Sequence, residues 1–254
     1  MQNKHKNAAK MIAAAVFFAL NAATFGGCKK ETYLDPTTLF ENSEGLTFNG
    51  DSVSFSERKM TRTFKDGVAE EGFVVSYTVQ GDNPDYTWVD SGGLYVELMG
   101  ETVVVDEATN QTEALYHDIV IFQDPATYGQ PTIASNACVW IVENGVATHG
   151  GTEEGAGFRT DMSFVVSRNP VQVKIVYYNE AYYFMLDKTC KVKIDANTTF
   201  NNAERFVNKD KFFKAGKRKL GFRTAMTPAT YSKISFELGN DAALSALQSM
   251  KFEV

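Results

Sequence analysis

Short β-rich runs recur along the chain, and helix-like runs are nearly absent. The runs GFVVSYTV (residues 72–79), HDIVIFQ (117–123) and ACVWIV (137–142) are rich in branched and aromatic residues, and Gly, Pro, Asn or Asp bound them. Short runs at this spacing are typical of antiparallel sandwiches and barrels. Only the run 241–250 repeats apolar residues at helical spacing, with Asn240 as its candidate cap. The chain is therefore predicted to be all-β with one short C-terminal helix.

Two hairpins stand out from this pattern. LTF (46–48) and VSF (53–55) flank Asn49-Gly50-Asp51, and Asn-Gly predicts a type I′ turn because both central residues tolerate positive φ. Residues 170–187 form a second unit, in which VQVKIVYY and AYYFML flank Asn179-Glu180. An antiparallel sheet with tight turns follows from both units.

The N-terminus has the pattern of an export signal. Lys4, Lys6 and Lys10 precede an apolar stretch over 11–24, which is too short for a comfortable membrane span. The run Phe25-Gly26-Gly27-Cys28 follows. It resembles the lipobox of bacterial lipoproteins, although Phe25 stands where Leu is more usual. The resemblance implies that Cys28 is lipidated and becomes the first mature residue.

This reading divides the chain into three parts. Residues 1–27 are predicted to be a lipoprotein signal peptide, 28–44 a polar tether and 45–254 one β-sandwich domain. The expected location is the bacterial cell envelope, anchored by lipid to a membrane and facing away from the cytoplasm. A chance cysteine behind an ordinary signal peptide is the alternative.

Charge is distributed unevenly along the mature chain. Residues 66–161 hold 17 acidic residues and one basic residue, Arg159, whereas residues 188–223 hold 11 basic and three acidic residues. The mature chain as a whole is acidic, with 22 basic against 31 acidic residues. This balance argues against nucleic acid as a partner.

Two cysteines remain once Cys28 is lipidated, Cys138 and Cys190. Export places them in an oxidising compartment, so we expect them to form a disulfide. Histidines are few and no CxxC or HxxxH spacing occurs, so no metal site is expected from these residue types. One Ca²⁺ candidate remains in the oxygen-rich stretch with Asp82, Asp85 and Asp90.

The order of the C-terminal runs resembles the concanavalin A-like lectin/glucanase jelly rolls. The matching pieces are 173–178, 182–187, Leu220-Gly221-Phe222 and 231–236. The chain departs from that pattern by an insert over 188–216. The resemblance implies a two-sheet antiparallel sandwich that recognises carbohydrate.

Aromatic and carboxylate residues next to each other suit sugar rings, because ring faces stack on CH groups and carboxylates bond hydroxyls. Trp140 is expected in the core or on a sheet face. The candidate ligand-binding residues are Tyr86, Trp88, Tyr95, Glu97 and His149.

Catalytic chemistry finds little support in the sequence. The resemblance implies a Glu-x-Asp-x-x-Glu motif on one strand for a glucanase, and no such motif occurs. Glu97 stands alone on its run, and the Ser motif GxSxG is absent. A divergent glycosidase or lyase with acid and base on separate strands, such as Glu97 and Asp118, remains the alternative.

A basic run near the C-terminus is the last candidate. Its cations surround two phenylalanines, a composition that suits an anionic glycan or lipid surface. The alternative is a solvated turn whose phenylalanines enter the core. The residues are Lys209, Lys211, Lys214, Lys217, Arg218 and Lys219.

The sequence therefore predicts a lipid-anchored, non-catalytic protein that binds a carbohydrate or another cell-surface ligand. The alternatives are a divergent glycoside hydrolase or lyase, and a structural or adhesion lipoprotein that binds a protein partner.

Overall fold

Two antiparallel-rich sheets make up the fold. The computed structural model describes residues 32–81, 89–124, 135–148, 165–166, 171–186, 188–200, 203–225 and 228–252. In this part of the chain the strands are β1 (Leu46–Asn49), β2 (Ser52–Phe55), β3 (Thr61–Ala69), β4 (Phe73–Gly81), β5 (Val89–Asp106), β6 (Gln111–Asp124), β7 (Ser135–Glu143), β8 (Val146–Thr148), β9 (Val165–Val166), β10 (Val171–Tyr178), β11 (Ala181–Leu186), β12 (Thr189–Asp195), β13 (Arg218–Arg223), β14 (Ala229–Leu238) and β15 (Lys251–Phe252). The helices are α1 (Pro36–Leu39), α2 (Lys209–Phe213) and α3 (Asn240–Gln248), with a 3₁₀ turn at Ala203–Arg205.

The first sheet has eight strands in the order β1-β2-β14-β4-β10-β11-β12-β15. The second sheet has seven strands, with the order β3-β13-β5-β6-β7-β8 and with β9 paired to β7. Every pair is antiparallel except the short β12–β15 pair. Consecutive strands often lie in different sheets, so the chain crosses repeatedly between the two layers.

Alternate residues of both sheets meet in one aromatic core. Phe222 of β13 stacks on Tyr231 of β14 at 4.3 Å between ring centroids, and Phe64 of β3 meets the edge of Phe222 at 5.0 Å. All three rings are fully buried. Because the Phe222–Tyr231 stack joins β13 of the second sheet to β14 of the first, the core lies between the layers, as in a sandwich. The predicted class, an all-β antiparallel sandwich with a short C-terminal helix, is confirmed.

The two predicted hairpins form, with different turns. Asn179 and Glu180 both have positive φ, at 49° and 59°, as a type I′ turn requires. In the β1–β2 hairpin Asn49 pairs with Ser52, which leaves Gly50 and Asp51 as the loop. Only Gly50 of these has positive φ, at 60°, which is the type II′ pattern. The type I′ prediction was wrong for this hairpin, because the two-residue loop begins at Gly50 and not at Asn49.

The tether predicted over 28–44 is wrong for its second half. The Leu34 amide donates to the Ile234 carbonyl of β14 at 2.7 Å. Asp35 caps α1 by accepting from the Thr37 amide at 2.9 Å. Phe40 is 4% exposed and packs on Phe55, Phe64 and Phe222. The apolar residues of this stretch are therefore core residues, although they are few and the sequence around them is polar.

The predicted disulfide between Cys138 and Cys190 is not formed, because Cys190 is a free thiol. Cys138 belongs to β7 of the second sheet, whereas Cys190 belongs to β12 of the first sheet. The Cys190 side chain packs beneath α3 with Ala243 and Leu247, in a small cluster separate from the main core. Burial raises the pKa of this thiol to about 11.

The insert over 188–216 extends the first sheet and covers the core. Its first part forms β12, which pairs with β11. Its second part forms α2, whose Phe212 and Phe213 are buried at 0% and 1% exposure. Asn240 does not cap α3, since Gly239 holds that position and the Asn240 side chain accepts from the Gly72 amide at 3.0 Å.

Candidate functional site

The second sheet has a side turned away from the core that carries polar and aromatic side chains. On β5, β6, β7 and β13, buried core residues such as Leu94, Ile119, Val139 and Leu220 alternate with residues that point the other way. We call that side the polar–aromatic face and define it by Tyr95, Glu97, Tyr116, Asp118, Trp140, Lys219 and Arg223. Strand pairing brings these residues together, because β13, β5, β6 and β7 are successive neighbours.

Two tyrosines lie at the centre of the polar–aromatic face. Tyr95 and Tyr116 contact each other at 5.1 Å between ring centroids. The Tyr95 hydroxyl donates to Glu97 Oε2 at 3.1 Å. Burial, and next the Glu97 carboxylate, raise the pKa of Tyr95 well above its usual value, so the phenol stays protonated and acts as a donor.

Arg223 ties three strands together on this face. Its Nε lies 3.2 Å from Asp118 Oδ2 on β6, and its Nη1 donates to Thr61 Oγ1 on β3 at 2.8 Å. The guanidinium also lies over the Tyr116 ring, 5.0 Å from the centroid. Burial raises the pKa of Tyr116, and the neighbouring Arg223 charge opposes that rise. The guanidinium thus holds a carboxylate and an aromatic ring in fixed positions.

Glu97 and Asp118 share the face although they are far apart in sequence. Tyr95 pairs with Asp118 and Glu97 pairs with Tyr116, so the two carboxylates are diagonal neighbours on adjacent strands. Such neighbours have Cβ atoms about 7 Å apart. The sequence offered Glu97 and Asp118 only as a possible acid and base on separate strands, and the register of β5 against β6 makes them neighbours.

The accessibility of the face is uneven. Tyr95 and Asp118 are 7% and 3% exposed, whereas Tyr116, Trp140 and Glu97 are partly exposed. The partly exposed rings offer surfaces for stacking, and the buried pair offers polar groups held in a low-dielectric environment. This combination is typical of a ligand site more than of an ordinary solvated sheet face.

An ion pair marks the edge of the face next to β3. The Lys219 ammonium lies 2.7 Å from the Glu41 carboxylate, which also accepts from Thr63 Oγ1 at 2.6 Å. These two hydrogen bonds lower the pKa of Glu41. Gly221 lies between Lys219 and Arg223 on the same side, and a Cβ there would approach the Arg62 carbonyl to 2.4 Å. β3 thus approaches β13 so closely that glycine is required at position 221. As a result, β13 has no side chain next to Tyr95, the residue of β5 that pairs with Gly221.

The structure brings some of the sequence candidates together and leaves others undescribed. Tyr95 and Glu97 lie on the polar–aromatic face, and Trp140 is a sheet-face residue. Tyr86, Trp88, His149, Asp82 and Asp85 lie outside the described residues, and Asp90 is described only in its backbone, within β5. Sequence patterns alone did not identify Tyr116 and Arg223. They would have been found only by predicting that the runs HDIVIFQ and KLGFRT pair with LYVEL on either side.

The predicted basic patch does not form one cationic surface. Arg218 is 0% exposed and donates to the Tyr182 hydroxyl at 3.1 Å, with its guanidinium 4.2 Å from the Tyr177 ring centroid. It therefore belongs to the core, because the aromatic residues of β10 and β11 enclose it. Three lysines pair with carboxylates, namely Lys211 with Glu101, Lys217 with Glu70 and Lys219 with Glu41. Lys209 donates to the Thr198 carbonyl at 2.8 Å.

A buried histidine lies on the core side of β6. His117 is 0% exposed, and its Nε2 lies 2.8 Å from Glu143 Oε2. Glu143 also accepts from the Asn208 amide at 3.2 Å and from its side chain at 3.1 Å. Burial lowers the pKa of His117, the Glu143 carboxylate opposes this, and the Arg218 charge adds to it. This group links β6 and β7 to the segment before α2.

The described residues hold no group of three or more His, Cys, Asp or Glu that could bind a metal ion. Among the same residues, no helix has the length and apolar character needed to cross a bilayer.

Comparison with solved structures gives matches at low identity and at TM-scores below 0.5. No protein-family model and no curated protein sequence matches the chain. A proposed glycosyl hydrolase from Parabacteroides distasonis matches at 12% identity and a TM-score of 0.48, over 81% of this chain and 95% of that one. The carbohydrate-binding module CBM66 from Bacillus subtilis matches at 8% identity and 0.43, over 81% and 99%. The alginate lyase Aly36B, solved with an alginate tetrasaccharide, matches at 10% and 0.43, over 78% and 85%.

Proposed function

We propose that this chain is a carbohydrate-binding protein of the concanavalin A-like sandwich type, and that the polar–aromatic face is its ligand site. The observation that carries the proposal is the composition of that face. The partly exposed rings of Tyr116 and Trp140 lie on the same side of the sheet as Glu97, Asp118 and Arg223. Aromatic faces cover the CH groups of a sugar, and fixed carboxylates accept from its hydroxyls.

Binding without cleavage fits the two carboxylates best. A glycosidase needs one protonated carboxyl as general acid and a second carboxylate as base or nucleophile. Glu97 accepts from Tyr95, and Asp118 pairs with Arg223, so both act as acceptors. Hydrolysis or elimination remains the second candidate, because the diagonal placement of Glu97 and Asp118 brings two carboxylates to one face.

A glycan array followed by product analysis tests the proposal and separates the two candidates. The parent protein is expected to bind at least one saccharide and to release no shorter product from it. Asp118→Asn is expected to weaken binding, because it removes the charge that holds Arg223. Binding to a protein partner with no saccharide signal would favour a structural or adhesion role and overturn the proposal. Products that disappear in both Glu97→Gln and Asp118→Asn would establish the hydrolase or lyase.

We also propose that Cys28 carries a lipid anchor, which places the sandwich at the cell envelope outside the cytoplasm. The support is the signal-like N-terminus and the run Phe25-Gly26-Gly27-Cys28. Because Leu34 is already bonded to β14, only six residue steps separate Cys28 from the fold. Their extended length is about 20 Å, so the anchored domain would stay close to the bilayer. Labelling with a clickable fatty acid in the parent, and none in Cys28→Ser, is the expected result.

A further inference from the structure

The central strands of the polar–aromatic face carry only one sign of charge. β5, β6 and β7 together contain eight Asp and Glu residues and no Lys or Arg. Two of these carboxylates, Glu97 and Asp118, lie on the face itself beside Tyr95 and Tyr116. A ligand resting on these strands therefore meets negative charge at the centre of the site.

Both cations of the face come from β13, and each is committed to a carboxylate. Arg223 pairs with Asp118 at 3.2 Å and also donates to Thr61. Lys219 pairs with Glu41 at 2.7 Å, at the edge of the sheet. Neither cation presents an unneutralised charge, and Glu97 has no cation among its described contacts, only the neutral Tyr95 hydroxyl.

An anionic sugar would therefore be disfavoured on this face. Its carboxylate or sulfate would lie close to Glu97 in a partly desolvated site, where like charges repel more strongly than in water. It would also compete with Asp118 for Arg223 and leave a largely buried carboxylate without its partner. A neutral sugar meets neither penalty, because its hydroxyls can donate to the partly exposed Glu97 while its CH groups cover Tyr116 and Trp140.

We infer that the ligand of the polar–aromatic face is an uncharged saccharide and that uronic-acid and sulfated glycans are excluded by charge. The inference rests on the proposed function and adds the ligand class. The excluding residue is Glu97, because Lys219, its cross-strand neighbour on β13, is ion-paired with Glu41 and not with Glu97. Glu97 is accordingly a specificity-determining residue and its role is separable from that of Arg223, which positions Asp118 and Tyr116.

The test compares a neutral hexose oligomer with the uronic-acid oligomer of the same linkage and length. For the linkage that the array selects, titration calorimetry is expected to show the uronic-acid oligomer binding at least about tenfold more weakly at low salt. Added salt should narrow that difference, because it screens the repulsion. Glu97→Gln should also narrow it, whereas Glu237→Gln on β14 of the first sheet is the matched control and should leave it unchanged.

The outcomes distinguish failure of the charge-exclusion inference from failure of the proposed function. Equal or tighter binding of the uronic-acid oligomer would overturn the charge-exclusion inference and leave the proposed function standing. Preference for an amino-sugar oligomer over the neutral one would also overturn it. Failure of the parent to bind any saccharide would instead overturn the proposed function. If Glu97→Gln and Glu237→Gln behave alike, Glu97 is not the excluding residue.

Discussion

Arg218 offers the sharpest test of how the basic segment is built into the fold. Its guanidinium is fully buried and donates to the hydroxyls of Tyr182 and Tyr177, at 3.1 and 3.3 Å, and to the Phe212 carbonyl at 3.0 Å. It also bonds the carbonyls of Lys214 and Gly216. One side chain therefore fixes the stretch that follows α2 onto β10 and β11. Replacing it with Leu removes all of these bonds and leaves a similar apolar volume.

The expected loss can be assembled from these contacts. Three acceptors in buried bonds lose a charged donor, at about 1 kcal/mol each after their remaining bonds and local relaxation are allowed for. The Lys214 and Gly216 carbonyls are partly exposed, so water replaces much of their bonding. Stacking on the Tyr177 ring adds about 1 kcal/mol. Arg218→Leu is therefore expected to lower the free energy of unfolding by about 3–5 kcal/mol.

Urea unfolding followed by intrinsic fluorescence measures this loss directly. A domain of this size loses roughly 2–4 °C of Tm per kcal/mol, so Tm should fall by about 10 °C. Lys219→Leu is the matched control, because the neighbouring residue on β13 makes only a partly exposed ion pair, and a loss below about 1 kcal/mol is expected. Should Arg218→Leu fail to fold, Tyr177→Phe is the milder variant, with an expected loss of about 1 kcal/mol. Equal, small losses in Arg218→Leu and Lys219→Leu would refute the buried role and restore Arg218 to a surface patch.

Three further predictions follow from buried groups. Burial depresses the pKa of His117, so on acidification the unfolded state binds the His117 proton before the folded state does, and the free energy of unfolding should fall as pH drops below about 6.5. In urea titrations His117→Gln should flatten this pH dependence by up to about 1.4 kcal/mol per pH unit. An unchanged slope would contradict the burial of a neutral His117. Phe40→Ala should cost about 3–4 kcal/mol, against a smaller loss for Tyr33→Ala, whose side chain is 37% exposed, whereas a tether would give equal values. Cys190 should not react with Ellman's reagent in the folded protein, and it should react after denaturation even when no reductant is added. A disulfide-linked Cys138–Cys190 peptide in non-reducing mass spectrometry would contradict the free thiol.

Local sequence signals predicted the strands well because the strands have an apolar side that faces the core. The hairpin 170–187 formed as expected, with its turn at Asn179-Glu180. In the sequence, residues 94–98 and 102–105 are two short β-rich runs on either side of Gly100, but both belong to one long strand, β5, with an irregular register between Glu97 and Thr102. A bulge keeps a strand continuous across residues that resemble a turn, and sequence alone does not distinguish the two.

The site was harder to predict than the fold, because it depends on which strands are neighbours. Glu97 was identified, but its relation to Asp118 depends on the pairing of β5 with β6. Arg223 and Arg218 differ by five positions on one strand, yet one lies on the polar–aromatic face and the other in the core. Five is an odd number of positions, so strand alternation places the two side chains on opposite sides of the sheet, and the aromatic residues of the first sheet, which are distant in sequence, enclose the one that points inward.

The most direct test of the account is the affinity of the parent, Trp140→Ala and Tyr183→Ala for the neutral saccharide that the glycan array selects. Tyr183 is the control, because it is a partly exposed tyrosine on the first sheet, packed near α3 and away from the polar–aromatic face. Calorimetry should show a loss of about thirtyfold or more for Trp140→Ala, as truncation of a central aromatic contact gives, and no change for Tyr183→Ala. Unchanged affinity in Trp140→Ala, or a loss confined to Tyr183→Ala, would contradict the placement of the ligand site on the second sheet.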